Sequence, residues 1–466
     1  MPTSTIRGLT RGLCRLQTPP NVPQGQVWRY GLGFPFQVSP TRAAILANIH
    51  RKLARTEDFE TGSDVIVFDD LQRLTPDRAI PVTRNREEFN PKAGEMAEMV
   101  TGVPLGAFVP LGARRPDGSP HPHAGTGFGY SLAIAYARDD GDLSKPYRGC
   151  FRNEQSHVYW EMFQFAFDGR TFSITQSERL RFGELLPGHL VLDIPLRMGI
   201  ADGDDLLAAA TVGFPGATDA DLMSGSEAHG TGVLRWRRGP RGWRPVAFMP
   251  VALDFSCSEP TLIRDVDGSL LFSVRVGYKD PRKHDILVWR SGDSAASWQK
   301  IIHVRNVRYQ SPTTINQAAD GTPYIVCNHW VAALMDYGGS FMDGQGRTTC
   351  REMLCLWPLN AARDGLHSPH VVTFPRYEFG PPPVYEGPPP GPEVKDAGAL
   401  NKGRDWTCDH PNAMTVRLAD GEWHNLLCFR RLAQAEVQGG IPPTPYSGLC
   451  VEEVFSTGPT RPEWRF

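Results

Sequence analysis

The chain has no apolar run approaching the ~20 residues that cross a bilayer. Its start, Met1–Leu16, carries Arg7, Arg11 and Arg15 but no apolar core of a secretory signal. Charge of one sign is also missing. Lys and Arg number 49 against 51 Asp and Glu, a net charge of −2, which argues against nucleic acid or a membrane surface as the partner. The nine cysteines include no Cys-x-x-Cys pair. Odd in number and scattered, they are expected to be reduced and buried in a cytoplasmic chain, with a processed secreted form as the alternative. His123, Cys257, Cys408 and His410 have no zinc-motif spacing. The glycines of Gly125-Thr126-Gly127-Phe128-Gly129 precede no helical pattern. Neither metal nor other cofactor is expected. Helical periodicity is scarce, whereas short runs such as Ser269–Val274, Asp285–Trp289 and Trp423–Phe429 read as strands between turn signals.

What the chain does contain is a repeated phrase: a polar residue, a proline, an apolar stretch, then Asp-Gly and another apolar run. The copies are Asp193-Ile194-Pro195…Asp202-Gly203, Ser258-Glu259-Pro260…Asp267-Gly268, Gln310-Ser311-Pro312…Asp320-Gly321 and Asp409-His410-Pro411…Asp420-Gly421. Weaker copies surround Pro40 and Pro122, giving six units. Self-similarity of this period predicts an all-β repeat fold, a six-bladed β-propeller. It occupies residues 1–466 as one domain, with a proline-rich loop insert at about 376–405. The final strand, Leu449–Phe455, is expected to pair beside the first unit and close the ring, which removes exposed sheet edges. Polar residues just before the prolines then converge on one axial mouth: His121, His123, Asp193, Glu259, Gln310, Asp409 and His410.

Ser291-Gly292-Asp293-Ser294-Ala295-Ala296-Ser297-Trp298 reads as a turn whose Asp caps backbone N–H groups while the Trp fills the gap between strands. It resembles the Asp-box of sialidases and related six-bladed propellers, with Ala295 where the box usually has Gly. Glu259 and Arg275 stand 16 residues apart, as do a Glu and an Arg in a similar blade of sialidases. There the Glu helps activate the nucleophile, and the Arg is one of three that clamp the substrate carboxylate. Arg351, just before Met353–Trp357, fits the place of another clamp arginine better than Arg347.

The chain departs from that pattern at two points. Asp193-Ile194-Pro195 and Val38-Ser39-Pro40 lack the family's first clamp arginine, and the stretch Cys408–Asn412 lacks its tyrosine nucleophile. Tyr377 and Tyr385 lie in the insert, outside the matching frame.

The resemblance implies an exo-acting glycoside hydrolase on glycans carrying a carboxylate sugar. The catalytic candidates are Glu259, Asp193, Asp409, His410 and His123, and the substrate-binding candidates are Arg275, Arg351, Gln310 and His121. Two alternatives stay open: a uronate-directed polysaccharide lyase built on His123 and His410, and a non-catalytic glycan-binding propeller. The sequence leaves the oligomeric state open.

Overall fold

The computed structural model describes residues 4–10, 14–16, 18–22, 28–51, 60–90, 94–115, 117–136, 158–181, 183–193, 195–217, 228–277, 279–309, 311–329, 351–380, 406–433 and 446–460. The strands form six antiparallel sheets, a six-bladed β-propeller. Blade I comprises Trp28–Ser39, Arg42–Arg51, Glu60–Phe68 and Ala79–Arg84. Blade II is built on Leu105–Val109, Thr126–Tyr136, Val158–Phe167 and Phe172–Arg181, with the hairpin Arg86–Asn90/Glu95–Thr101 beside its second strand. In blade III the inner strand is split into Val191–Asp193 and Ile200–Asp202, followed by Asp205–Gly213, His229–Gly239 and Gly242–Ala252.

Blade IV comprises Cys257–Arg264, Leu270–Val276, Ile286–Ser291 and Gln299–Val304. Blade V comprises Thr314–Gln317, Pro323–Asn328, Leu354–Pro358 and His370–Thr373. Blade VI consists of Trp406–Arg417, Trp423–Ala433 and Gly448–Ser456, and is completed by Ile6–Leu9 and Cys14–Leu16. The C-terminal strand thus pairs with the first strands of the chain, Ile6 opposite Ser456 and Cys14 opposite Val451. This is the expected closure.

Position in the blade decides the sequence pattern. Second strands lie between neighbouring sheets and are buried on both faces, so Leu270–Val276 is buried throughout and is apolar except at Ser273 and Arg275. An outermost strand such as Phe172–Arg181 is mostly exposed.

Polar contacts between neighbouring inner segments run around the whole ring. Leu111 N–H donates to Val38 O (2.8 Å), Gly199 N–H to Gly106 O (2.7 Å) and Leu196 N–H to Pro260 O (3.2 Å). Ile315 N–H donates to Thr261 Oγ1 (2.9 Å) and Ala413 N–H to Asn316 Oδ1 (2.9 Å). Gln37 closes the circle by exchanging two bonds of 2.7 Å with the Arg417 backbone. Arg197 of blade III, 3 % exposed, spans the axis. It donates to Leu262 O in blade IV and to Ala413 O in the opposite blade VI, each at 3.2 Å.

The Asp-box-like turn of blade IV has the geometry its residues suggest. Ser291 Oγ donates to Asp293 Oδ1 (2.7 Å), which also accepts Ser297 N–H (2.9 Å), and Trp298 packs on Phe272. The hydrogen bonds from Ser297 and Ser291 hold the Asp293 carboxyl down at about 2. The six described cysteines with free thiols are all buried, as expected. Burial pushes the thiols of Cys257 and Cys327 up to about 12.

Two unit boundaries are corrected. Pro40 lies in the turn that ends the inner strand of blade I, and Pro122 lies in the connection after the inner strand of blade II. Proline suits a tight turn as well as a strand start, so these two copies stand out of phase with the other four. The in-phase proline of blade II is Pro104, just ahead of Leu105. The proline-rich insert opens on a short helix, Pro375–Phe379, and its remainder lies outside the described residues.

Replacing Arg197 by Met leaves Leu262 O and Ala413 O without their charged donor. The expected loss is about 3 kcal/mol, read as a lowered urea midpoint against the unmodified protein.

Candidate active site

In each blade the inner strand starts at one end of the ring and turns back at the other. At the starting end, blades IV and VI share an unusual backbone. Glu259 and His410 both have φ of 50°, in the left-handed region, and each directly precedes a proline. Each also sits in a β-bulge: the ladder breaks between Ser258 and Thr261, and between Asp409 and Asn412. A non-glycine residue in this region costs about 1–3 kcal/mol, and such strain concentrates where a side chain has to be re-aimed.

The strand opposite each bulge carries an arginine in the same register. Arg275 pairs with Ser258, and Arg430 pairs with Asp409. In blade IV, Arg275 Nη1 donates to both carboxylate oxygens of Glu259 at 2.9 Å. In blade VI, Arg430 grips Asp409 with two nitrogens, Nε to Oδ1 (2.7 Å) and Nη2 to Oδ2 (2.8 Å). Arg351 reaches Asp409 Oδ2 from the blade V side (2.6 Å), and its carbonyl accepts Cys408 N–H (2.7 Å). His410 Nδ1 stands 3.0 Å from Asp409 Oδ1.

Asp409 is 0 % exposed. Burial opposes its charge, yet Arg430, His410 and Arg351 together hold its carboxyl well below the usual carboxylate range. The approach of His410 Nδ1 to Asp409 does not have hydrogen-bond geometry, and that nitrogen is buried without a hydrogen-bond partner among the described residues.

Between the two blades lies Arg308, fully buried. It donates to the carbonyls of Asp285 (2.6 Å), Tyr309 (3.0 Å) and Ser311 (3.0 Å), and among the described residues its Nη2 has no partner. Burial pushes this guanidinium down to about 10, so it stays charged at neutral pH.

The residues singled out from sequence divide into four groups. Glu259, Arg275, Arg351, Asp409 and His410 occupy the starting end of three consecutive blades. His121 and His123 are corrected to the other end of the ring, because the connection that carries them follows the inner strand of blade II. His121 Nε2 contacts Gly203 O (3.0 Å) in the far hairpin of blade III, and the His123 ring meets Trp243. That end holds a depression lined by paired charges, Arg115 with Asp204 and Arg237 with Asp205. Gln310, Arg347, Tyr385 and the side chain of Asp193 lie outside the described residues. Tyr377 is on the short helix, 74 % exposed.

Arg308 and Arg430 escaped the sequence reading. Arg430 stands 20 residues after His410 (410 to 430), against 16 from Glu259 to Arg275 (259 to 275), so only the ladder register equates the two arginines.

Asp409→Asn leaves two guanidiniums without their counter-charge, and the protein is expected to lose about 3–5 kcal/mol. Because the folded Asp409 is depressed, its contribution is complete above the unfolded value of about 4. It fades as pH falls towards the folded value. Thermal melts across pH 7 to 3 should therefore show a smaller acid-induced decline in Asp409→Asn than in the unmodified protein.

No family model and no curated protein matches the chain. Among solved structures it is similar to the Trypanosoma rangeli sialidase in complex with 2,3-difluorosialic acid: 12% identity, TM-score 0.50, covering 96% of this chain and 58% of that one. The chain therefore spans well under two thirds of that sialidase. A protein of unknown function from Dyadobacter fermentans follows, with 11% identity, TM-score 0.49 and coverage of 96% and 99%. A Penicillium chrysogenum alpha-L-arabinanase has 10% identity, TM-score 0.44 and coverage of 98% and 99%. At such identities the likeness is one of fold, the six-bladed propeller of the sialidase type.

Proposed function

We propose that the mouth formed by blades IV, V and VI is the active site of a glycoside hydrolase that takes a sugar bearing a carboxylate. One observation carries this reading. Among the described residues, Glu259 accepts from Arg275 in blade IV, and Asp409 accepts from both Arg430 and Arg351 across the boundary of blades V and VI. Arg308 adds a fourth cation held by carbonyls alone. A mouth this rich in guanidiniums suits an anion, and guanidinium pairs with carboxylate in two-point fashion.

His410, beside Asp409, is the general base of this reading. It takes a proton from the water that attacks the anomeric carbon as the glycosidic C–O bond breaks, and the departing oxygen is protonated from solvent. Arg275 and Arg351 hold the substrate carboxylate, and Glu259 keeps Arg275 in place. No tyrosine stands in the frame of the family nucleophile, so direct attack by water fits these residues better than a covalent tyrosyl intermediate. The lyase alternative loses half of its machinery, since His123 and His410 lie at opposite ends of the ring.

The test uses 4-methylumbelliferyl glycosides of sialic and glucuronic acid beside their neutral counterparts. Turnover is expected on an acidic sugar only. His410→Ala should lower kcat by roughly 100-fold or more, and Arg275→Ala should act mainly on KM. Equal turnover of neutral glycosides would remove the anion-clamp role. An unsaturated product absorbing near 230–240 nm would mark a lyase instead, and binding without turnover a glycan-binding propeller.

A further inference from the structure

Where blade VI is closed, one imidazole stands between two carboxylates. His424 is near the start of the second strand, Trp423–Ala433. Its Nδ1 lies 2.9 Å from Glu453 Oε1, and its Nε2 lies 3.1 Å from Asp420 Oδ2. Glu453 belongs to the C-terminal strand, opposite Leu426 and so diagonal to His424. Asp420 is in the turn that leads into the second strand. The Glu453 side chain is 15 % exposed and that of Asp420 52 %, so Glu453 is the less screened partner.

Hydrogen bonding fixes the charge of this ring. A carboxylate can only accept, so each ring nitrogen needs a proton to bond its partner, and a ring with both is an imidazolium. A neutral ring would turn a bare lone pair towards one of the two anions. The bond to Glu453 raises the imidazole above its ordinary value, burial works against the charge, and Asp420 adds to the rise. The other charged groups around it are engaged elsewhere or exposed. From the inner strand, Val416 stands opposite His424, and the adjoining Arg417 donates to Gly421 O (3.0 Å). In the C-terminal strand, Glu452 accepts from Thr10 Oγ1 (3.4 Å). Blade I meets the turn through Asp69 O, which accepts Ala419 N–H (3.0 Å), and the Asp69 carboxylate lies 3.6 and 3.8 Å from Arg73 and Arg78. Glu422 and Arg7 are exposed.

Glu453 also holds the first strands of the chain. Its N–H donates to Thr10 Oγ1 (2.9 Å), its carbonyl accepts Thr10 N–H (3.0 Å), and the next residue, Val454, pairs with Leu9. The ring of His424 and the N-terminal segment thus grip one residue from two sides. We propose that His424 is a proton-controlled clasp: as an imidazolium it binds Glu453 and Asp420 together and keeps Gly448–Ser456 seated in blade VI, and when it loses its proton the closure with Ile6–Leu9 loosens. Because the folded value is raised, the clasp is complete below the unfolded value of about 6.5. It is lost as pH rises through the folded value.

The experiment joins two measurements on the full chain from pH 6 to 9. Nitrogen-15 NMR of labelled histidine reads the charge of the His424 ring, assigned by its absence in His424→Gln. Hydrogen exchange, with each rate divided by the intrinsic rate at that pH, reads the opening of Ile6–Leu9 and Gly448–Ser456. Both nitrogens are expected to be protonated at pH 6, with a midpoint above about 6.5. Protection of the two strands should fall by roughly tenfold for each pH unit by which that midpoint exceeds 6.5, while Leu270–Val276 of blade IV stays unchanged. His424→Gln should abolish the fall. Glu453→Gln should return the ring towards ordinary titration, and Asp420→Asn should shift it less. A midpoint below 6.5, equal protection of the two strands at pH 6 and 9, or an equal loss in blade IV overturns the clasp. Should His424→Gln or Glu453→Gln fail to fold, the midpoint and the exchange of the unmodified protein beside Asp420→Asn, a change at an exposed turn, decide the matter.

Discussion

The mouth depends on one buried carboxylate. Asp409 has no solvent to stabilise its charge, and it holds Arg430 and Arg351 by hydrogen bonds with His410 at its side. Those partners come from different strands and from two sides of a blade boundary. A single anion therefore gathers two guanidiniums, Arg351 and Arg430, that nothing in local sequence would bring together, beside its chain neighbour His410. The desolvation of Asp409 is large, and only the simultaneous presence of its partners offsets it. The arrangement is cooperative for that reason: each member is placed only if the others are.

The ring supplies the rigidity that such an arrangement needs. Each blade hands a backbone or side-chain hydrogen bond to the next, and Arg197 ties blade III to the blade facing it. The strained residues Glu259 and His410 are tolerated because the proline behind each and the arginine beside each leave few alternatives. Strain, burial and charge coincide at one end of the propeller, whereas the other end carries hairpin turns and ion pairs such as Arg115–Asp204 that are open to water.

Much of this was legible in the sequence where a local rule governs it. The polar-residue-proline phrase marks a bulge at Glu259 and His410, because only a backbone deviation seats a charged residue there beside a ring without an N–H. The same logic misled at Pro40 and Pro122, where proline serves a turn at the strand's other end. What stayed hidden was contact across strands. Arg430 answers Asp409 through ladder register, and His50 fills the space of Gly31 from the adjoining strand. No spacing along one strand encodes either.

Both extremities of the described chain meet in blade VI, the same sheet that bears Asp409, His410 and Arg430. The strands Ile6–Leu9 and Cys14–Leu16 gain their partner only when the distant strand Gly448–Ser456 is in place beside them. The blade that bears Asp409, His410 and Arg430 is thus the one sealed by pairing between segments farthest apart along the chain, and fraying at this seam would loosen that cluster while five blades stayed intact.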